Sequence, residues 1–182
     1  QLIRLGVVQG RELIVDSTRL HAWRHADPGA AWSKYAGRAA LFGYKVHVVL
    51  CRRCALPVFV CVTPANVHDS LVGLCCVLAA WLLFGFQTLL VYADSAYFDH
   101  CFLGGIHRMG AHAAVDYNLR RQGKRKLADP AFLRLWKRCV LGPRSDIERH
   151  FAWAKRYFGL GCFECFTYRR VAQFVLLIYT AI

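Results

Sequence analysis

Three acidic residues stand at positions where a carboxylate could hold a metal ion. Asp16 lies inside the apolar run IVDST, Asp94 ends the apolar run LVYAD, and Glu148 lies in a stretch with helical spacing. A carboxylate on a buried strand costs free energy unless it is paired, hydrogen-bonded or bound to a metal ion. Either aspartate alone is equally well explained as the cap of a turn. The chain has only 11 Asp and Glu, so the places of these three are informative.

Glu148 shares one face of a predicted helix with two basic residues. Residues 144–158 repeat apolar side chains at helical spacing, and Arg144, Glu148 and Lys155 fall beside that stripe. Residues three, four or seven apart lie on the same side of a helix. Such a face is commonly a solvated ladder of salt bridges, which contributes little stability. Spacing alone therefore leaves open whether this face binds anything.

The elements that must position these residues can be read from apolar periodicity and turn residues. Strands are predicted at 12–20, 43–51, 55–64, 88–94 and 112–119, and helices from Asp69 or Ser70, at 98–110, at 144–158 and at 168–182. Residues 23–42 are predicted to be loop. Alternation in 43–51 places Lys45 and His47 on one face, opposite Tyr44, Val46 and Val48. Three strands, a helix and then alternating strands and helices predict an α/β layer with a mixed sheet.

Length and charge limit the class of protein. The 182 residues suit one domain, 1–182, and the net charge is +13. Residues 117–182 hold 14 Lys and Arg against 4 Asp and Glu. This excess favours nucleic acid or an anionic membrane as partner. Nine cysteines without a signal peptide favour a reducing compartment.

A membrane interpretation depends on the apolar run 71–93, which is long enough to span a bilayer. A break at 85–88 and the acid that follows the run argue against it, because they are typical of a helix followed by a buried strand. We therefore expect no membrane partner and a cytoplasmic, nucleoid-associated protein.

Five motifs resemble one protein family. PRSDIERHFAWAKRYFGL (143–160) contains Arg, three residues, Glu, six residues and Lys. This matches the Tyr-Arg-Glu-Lys signature of insertion-sequence transposases of the DDE superfamily, except that Leu141 stands in place of the Tyr. IVDST, GYKVH, TPANVHDS and YADSAYFD are similar to the family's other segments and occur in the same order. The resemblance covers about residues 12–170.

The resemblance implies a ribonuclease H-like mixed sheet flanked by helices, in which the first and fourth strands bring Asp16 and Asp94 together. The helix that carries Glu148 would pack across them. The implied activity is metal-dependent strand cleavage and strand transfer at transposon ends. Two Mg²⁺ ions, replaceable by Mn²⁺, would be held by the three acids, and such ions clamp the attacking and leaving oxygens of an in-line displacement. Arg144 and Lys155 would bind DNA phosphates.

Double-stranded DNA, as transposon end and as target, is the implied partner, and a homodimer in the DNA complex is compatible with it. The basic segment RRQGKRK (120–126), with Arg120, Arg121 and Lys124, is a further candidate DNA contact. Only eleven residues precede Glu12. We therefore expect the family's separate N-terminal DNA-binding domain to be absent from these 182 residues.

Three alternatives stay open. A domesticated, non-catalytic DNA-binding protein would have the same fold. The pairs Cys51/Cys54 and Cys162/Cys165 have the spacing of zinc ligands. Asp116, in the predicted strand HAAVDYNL, is a competitor of Asp94 for the second acidic position, although its neighbours match the family less well.

Overall fold

A sheet with helices on both faces makes up the described part of the chain, which is residues 2–34, 39–116 and 130–182 of a computed structural model. The strands are β1 (Glu12–His21), β2 (Ala31–Ser33), β3 (Leu41–Cys51), β4 (Leu56–Pro64), β5 (Leu90–Ala93) and β6 (His112–Val115). The helices are α1 (Asp69–Phe84), α2 (His100–Arg108), α3 (Pro130–Tyr157) and α4 (Tyr168–Ala181), with a 3₁₀ turn at Ser95–Tyr97. The α/β class is confirmed.

The sheet is mixed, as predicted. Its strand order is β2-β3-β1-β5-β6, and β4 also pairs with β3. β3 is antiparallel to β1, β2 and β4, whereas β1, β5 and β6 run parallel to one another. The expected pairing of the first strand with the strand before Asp94 is confirmed, since β1 lies beside β5.

Apolar side chains on the two faces of the sheet are buried under different helices. On one face, Tyr44, Val46 and Val48 pack in a cluster with side chains of α3 and α4, among them Ile147, Phe151, Val171 and Val175. On the other face, Leu13, Val15 and Val91 pack with side chains of α1 and α2, among them Leu74, Val77, Phe102 and Ile106. The predicted alternation in β3 is confirmed, because Lys45 and His47 contact Asp69 of α1 on this second face.

The apolar run 71–93 is divided between α1 and β5, as the sequence predicts. Gly85 ends α1 in the left-handed conformation with φ 63°, and its amide donates to the Trp81 carbonyl. Glycine is suited to this position because it has no Cβ to clash there. None of the helices within the described ranges is long and apolar enough to cross a membrane.

The prediction of loop over 23–42 is wrong in part. β2 pairs with the start of β3, where Trp32 lies opposite Phe42, and β3 begins at Leu41. A strand of three residues is too short to show alternation in sequence. It exists here because a neighbouring strand supplies its hydrogen bonds.

The prediction that the third described helix begins at residue 144 is also wrong. α3 begins at Pro130 and continues through Pro143. An interior proline removes one helical hydrogen bond and crowds the carbonyl four residues earlier, whereas a first-turn proline does neither. The sequence near Pro143 therefore imitates a helix start.

The cap of α1 differs from the prediction of Asp69 or Ser70. His68 is the N-cap, and its Nδ1 accepts from the Ser70 amide at 3.4 Å. Asp69 instead contacts the sheet. The remaining boundaries agree with prediction to within two residues, except that β6 ends at Val115 and residues 117–119 lie outside the described ranges.

Candidate active site

Asp16 and Asp94 lie side by side on neighbouring parallel strands. β1 pairs with β5 in a register that sets Glu12 opposite Leu90 and Ile14 opposite Tyr92. The same register brings Asp16 level with Asp94, which directly follows β5. Each carboxylate accepts one nearby amide: Asp16 from Ser17 and Asp94 from Ala96, both at 2.8 Å. Asp94 is thus also the N-cap of the 3₁₀ turn.

The electrostatics of Asp16 show that the two carboxylates interact. The pKa of Asp16 is raised to about 7, first by burial and then by the negative charge of Asp94. The Ser17 amide and the Arg144 guanidinium oppose this rise. Two carboxylates that share one site cannot both ionise easily. A cation between them would therefore be bound strongly.

The pKa of Asp94 is also raised. Burial is the largest cause that raises its pKa, and the charges of Asp69 and Asp116 add to it, while the Ala96 amide and Arg144 lower it. A partly buried carboxylate with a raised pKa in a cleft is typical of a functional site, where burial and like charges commonly shift pKa values.

Arg144 joins the strand pair to Glu148. Its Nη2 lies 3.7 Å from Asp16 Oδ2 and 3.3 Å from Glu148 Oε1. The Arg144 side chain is 15% exposed, whereas that of Glu148 is 63% exposed. α3 therefore brings Glu148 to the site through a basic residue that lies between the two acids.

A cleft of about 640 Å³ opens at this end of the sheet. Asp16, Asp94 and Lys155 line it, together with Asp69 and Tyr97. Partial burial and the nearby charge of Arg19 lower the pKa of Lys155. A cleft with acids at its floor and cations at its side can hold a phosphodiester next to metal ligands.

A family model covers nearly the whole chain. The family model for the Transposase DDE domain matches residues 9–182. The chain belongs to the DDE transposase family. The family predicted from the five motifs is confirmed, and the match covers more of the chain than the motifs do. Membership places this transposase domain among proteins of DNA transposition, which generally use divalent metal ions.

One solved structure confirms the predicted fold. The catalytic core domain of BIV integrase matches the transposase domain with a TM-score of 0.52 at 13% sequence identity, over 94% of this chain and 82% of that one. The mixed sheet with flanking helices is therefore ribonuclease H-like, as predicted. A Mos1 transposase paired-end complex with the left transposon end matches with a TM-score of 0.38 at 10% identity, over 60% of this chain and 36% of that one. No curated protein sequence matches.

The predicted site residues fall in three groups. Asp16, Asp94 and Arg144 are brought together, and Glu148 and Lys155 lie at the margin of the same site. Arg120, Arg121 and Lys124 lie outside the described residues. Asp116 directly follows β6, and the register of β5 with β6 sets it level with Asp94. Its charge acts on Asp94, but it is one strand further from Asp16.

The described cysteines do not come together in the way that a zinc site would need. In residues 2–34, 39–116 and 130–182, no three His, Cys, Asp or Glu side chains lie close enough to hold a metal ion as one group. Cys51 is buried at the end of β3, whereas Cys162 is exposed after α3. The pair Asp16 and Asp94, with Glu148 reached through Arg144, is thus a two-acid centre with a nearby third acid.

The sequence analysis did not assign Lys45 and Asp69 of the transposase domain to this centre, although both are buried beside it. Lys45 Nζ lies 3.0 Å from Asp69 Oδ1, and Ser17 Oγ donates to the same oxygen at 2.8 Å. The lysine is visible in sequence as a charge inside an alternating strand. That alternation places Lys45 on a covered face, which was a signal for a buried partner.

Proposed function

We propose that this transposase domain catalyses metal-dependent DNA strand cleavage and strand transfer at transposon ends. The acidic residues would be Asp16, Asp94 and Glu148. The observation that carries the proposal is the position of Asp16 beside Asp94 on parallel strands, with burial and mutual repulsion raising the pKa of Asp16 to about 7. A domain that only bound DNA would gain nothing from two partly buried carboxylates that repel each other.

The donor set fits divalent cations such as Mg²⁺ or Mn²⁺. Mg²⁺ prefers oxygen ligands, keeps several waters and is commonly bound by one or two carboxylates together with substrate phosphates. Asp16 and Asp94 supply two carboxylates at the floor of the cleft. Asp16, Asp94 and Glu148 are the residues that would hold such ions. Bound ions would stabilise charge on the attacking and leaving oxygens of an in-line displacement at phosphorus.

Arg144 is proposed to bind a DNA phosphate in addition to its present partners. Its guanidinium pairs with Asp16 and Glu148, and its Nε is buried without a hydrogen-bond partner among the residues that the structure describes. A guanidinium has five donors, so it can contact a phosphate while retaining a carboxylate. A phosphate at Arg144 would hold the strand next to Asp16.

Lys155 is proposed to hold the DNA backbone on the other side of the cleft. It lies two turns of α3 beyond Glu148 and lines the cleft. The positive charge of Arg19 is near enough to lower the pKa of Lys155. Two cations that repel each other are stabilised by an anion placed between them. A DNA phosphate at Lys155 and Arg19 would satisfy this arrangement and orient the duplex.

Cleavage of a plasmid that carries the DNA flanking the gene tests the proposal. The wild-type protein is expected to nick this plasmid with Mg²⁺ or Mn²⁺ and not with EDTA. Asp16→Asn and Asp94→Asn are expected to abolish nicking while they retain DNA binding, because binding depends on basic residues. Asp116→Asn is the matched control, since it removes the acid that follows the neighbouring parallel strand.

Two results would contradict this assignment. Nicking by Asp94→Asn together with its loss in Asp116→Asn would show that the second acid is Asp116. A wild-type protein that binds DNA tightly but never cleaves it with either ion would favour the domesticated, non-catalytic alternative.

A further inference from the structure

Asp69 lies at the centre of a buried polar cluster under the active site. It begins α1 and contacts the sheet face opposite α3. Its Oδ1 accepts from Ser17 Oγ at 2.8 Å and lies 3.0 Å from Lys45 Nζ. The Lys45 ammonium also donates to the Val67 carbonyl at 2.8 Å. The exposed fractions of the Lys45 and Asp69 side chains are 5% and 6%.

The cluster is connected to the active site through Ser17. The Ser17 hydroxyl bonds Asp69, while the Ser17 amide donates to Asp16 Oδ1 at 2.8 Å. Asp16 and Ser17 are adjacent in β1, so their side chains point to opposite faces of the sheet. A side chain anchored on the α1 face therefore fixes the peptide that orients the carboxylate on the α3 face.

The positive charge of Lys45 offsets the negative charge of Asp69. Asp69 is a third carboxylate near Asp16 and Asp94, and its charge contributes to raising the pKa of both. The ammonium of Lys45 compensates that charge at 3.0 Å. His47 adds no charge near neutral pH, because burial and Lys45 lower its pKa to about 4 against the opposite effect of Asp69.

Tyr97 closes the same cluster from the side of the cleft. Its hydroxyl is fully buried and has no hydrogen-bond partner within the described part of the chain. Gly73 of α1 allows the close approach of the Tyr97 ring, because a Cβ there would lie 2.3 Å from Cε1. The packing of α1 against the site is therefore fixed by shape as well as by charge.

We propose that Asp69 is a positioning residue for the Asp16–Asp94 pair. It holds the Ser17 hydroxyl, and through Ser17 it fixes the orientation of the Asp16 carboxylate toward a bound divalent cation. The Lys45 ammonium, 3.0 Å from Asp69, holds the Asp69 side chain in place for this role. The inference rests on the proposed function of Asp16 and Asp94 as cation ligands. Residues that orient ligands commonly change metal affinity about 10- to 100-fold when removed.

Binding of Mn²⁺ to the whole chain without DNA tests this role independently of cleavage. Free Mn²⁺ is measured by electron paramagnetic resonance at constant pH. Asp69→Ala and Ser17→Ala are expected to weaken Mn²⁺ binding about tenfold or more. Ser17→Thr is expected to restore it, because threonine retains the hydroxyl. Urea unfolding identifies any variant that fails to fold. If Asp69→Ala is such a variant, the comparison of Ser17→Ala with Ser17→Thr still tests the connection between Asp69 and Asp16.

Thr88→Ala is the matched control. Thr88 is buried and its Oγ1 donates to the Gly10 carbonyl at 3.0 Å, before the start of β5 and outside the Asp69 cluster. This variant is expected to bind Mn²⁺ like the wild type. Asp16→Asn provides the reference for loss of a ligand.

The two proposals fail in different ways. Wild-type Mn²⁺ affinity in Ser17→Ala and Asp69→Ala, combined with a loss in Asp16→Asn, would overturn the role of Asp69 and leave the proposed function intact. Wild-type affinity in Asp16→Asn would overturn the proposed function, and the role of Asp69 with it. If Ser17→Ala loses Mn²⁺ affinity and Ser17→Thr does not retain it, the hydroxyl is not the connecting group.

Discussion

The Arg144 guanidinium lies 3.7 Å from the Asp16 carboxylate, so a helix late in the chain supplies a positive charge to its first strand. The same nitrogen of Arg144 contacts Glu148 at 3.3 Å. Arg144 thereby lowers the pKa of Asp16 against the stronger effects of burial and Asp94. Two acids of the predicted site, Asp16 and Glu148, are thus held by one cation.

Arg144→Met is expected to raise the pKa of Asp16 above its present value of about 7. Methionine removes the charge, so burial and Asp94 act without opposition from this side. Carbon-13 NMR of the Asp carboxyl groups, titrated in EDTA, measures the change. Arg149→Met is the control, because Arg149 is exposed and pairs with Asp146 on the same helix. A pKa of Asp16 that does not move would mean that the Arg144 contact is absent in solution.

Asp16 is expected to make the protein less stable as pH rises. Its pKa is near 3.8 when exposed and about 7 in the folded protein. The folded state therefore binds the proton more tightly, and stability present below pH 4 is lost as pH rises through 7. The free energies of unfolding of Asp16→Asn and the wild type are compared in EDTA at pH 4 and pH 8. Between these two pH values, the difference should shift in favour of Asp16→Asn by up to about 4 kcal/mol. Urea unfolding at both pH values tests this, and parallel pH profiles of the two proteins would contradict it.

Lys155→Gln is expected to weaken DNA binding and reduce the salt dependence by about one phosphate contact, or about 0.9 in the log–log slope. Lys155 lines the cleft. Its neighbour Arg156 is exposed and lies over the Tyr157 ring at 5.4 Å, so Arg156→Gln is a matched control of equal charge. Fluorescence anisotropy at several salt concentrations measures both. Equal effects of the two changes would place the DNA elsewhere than in the cleft.

The basic segment 120–126 is expected to supply much of the remaining affinity. Changing Arg120, Arg121, Lys124, Arg125 and Lys126 together to Gln should flatten the salt slope, because fewer counterions are released on binding. Arg11→Gln with Arg53→Gln is the control, since both residues lie beside the start of β1, away from Asp16. A slope that the five changes leave unaltered would show that this segment does not contact phosphates.

The sequence predicts the strands and the two central acids because both depend on local patterns. β-branched runs that end in Asp indicate a buried strand with a carboxylate, and the family motifs supply their pairing. The N-cap of α1 and the start of α3 are harder to predict from sequence. His68 caps α1 although Asp69 and Ser70 are the usual residue types for that position. α3 passes through Pro143, where local preference indicates a start.

The role of Asp69 could not be predicted, because it depends on tertiary packing. Its contacts with Ser17 and Lys45 join segments far apart in sequence, and the spacing of the three residues contains no pattern. The exposure of Glu148 is similar: helical spacing places it beside Arg144, but only the packing of α3 shows how far it extends into solvent.

The most direct test is the position of bound Mn²⁺. Crystals of the protein with DNA and Mn²⁺, measured at the manganese absorption edge, locate the ions by anomalous scattering without any assumption about the chemistry. We predict a peak in contact with the carboxylates of both Asp16 and Asp94, with Glu148 as a ligand of the same centre. Peaks only at other residues, such as Asp116, at concentrations that support cleavage would contradict the assignment.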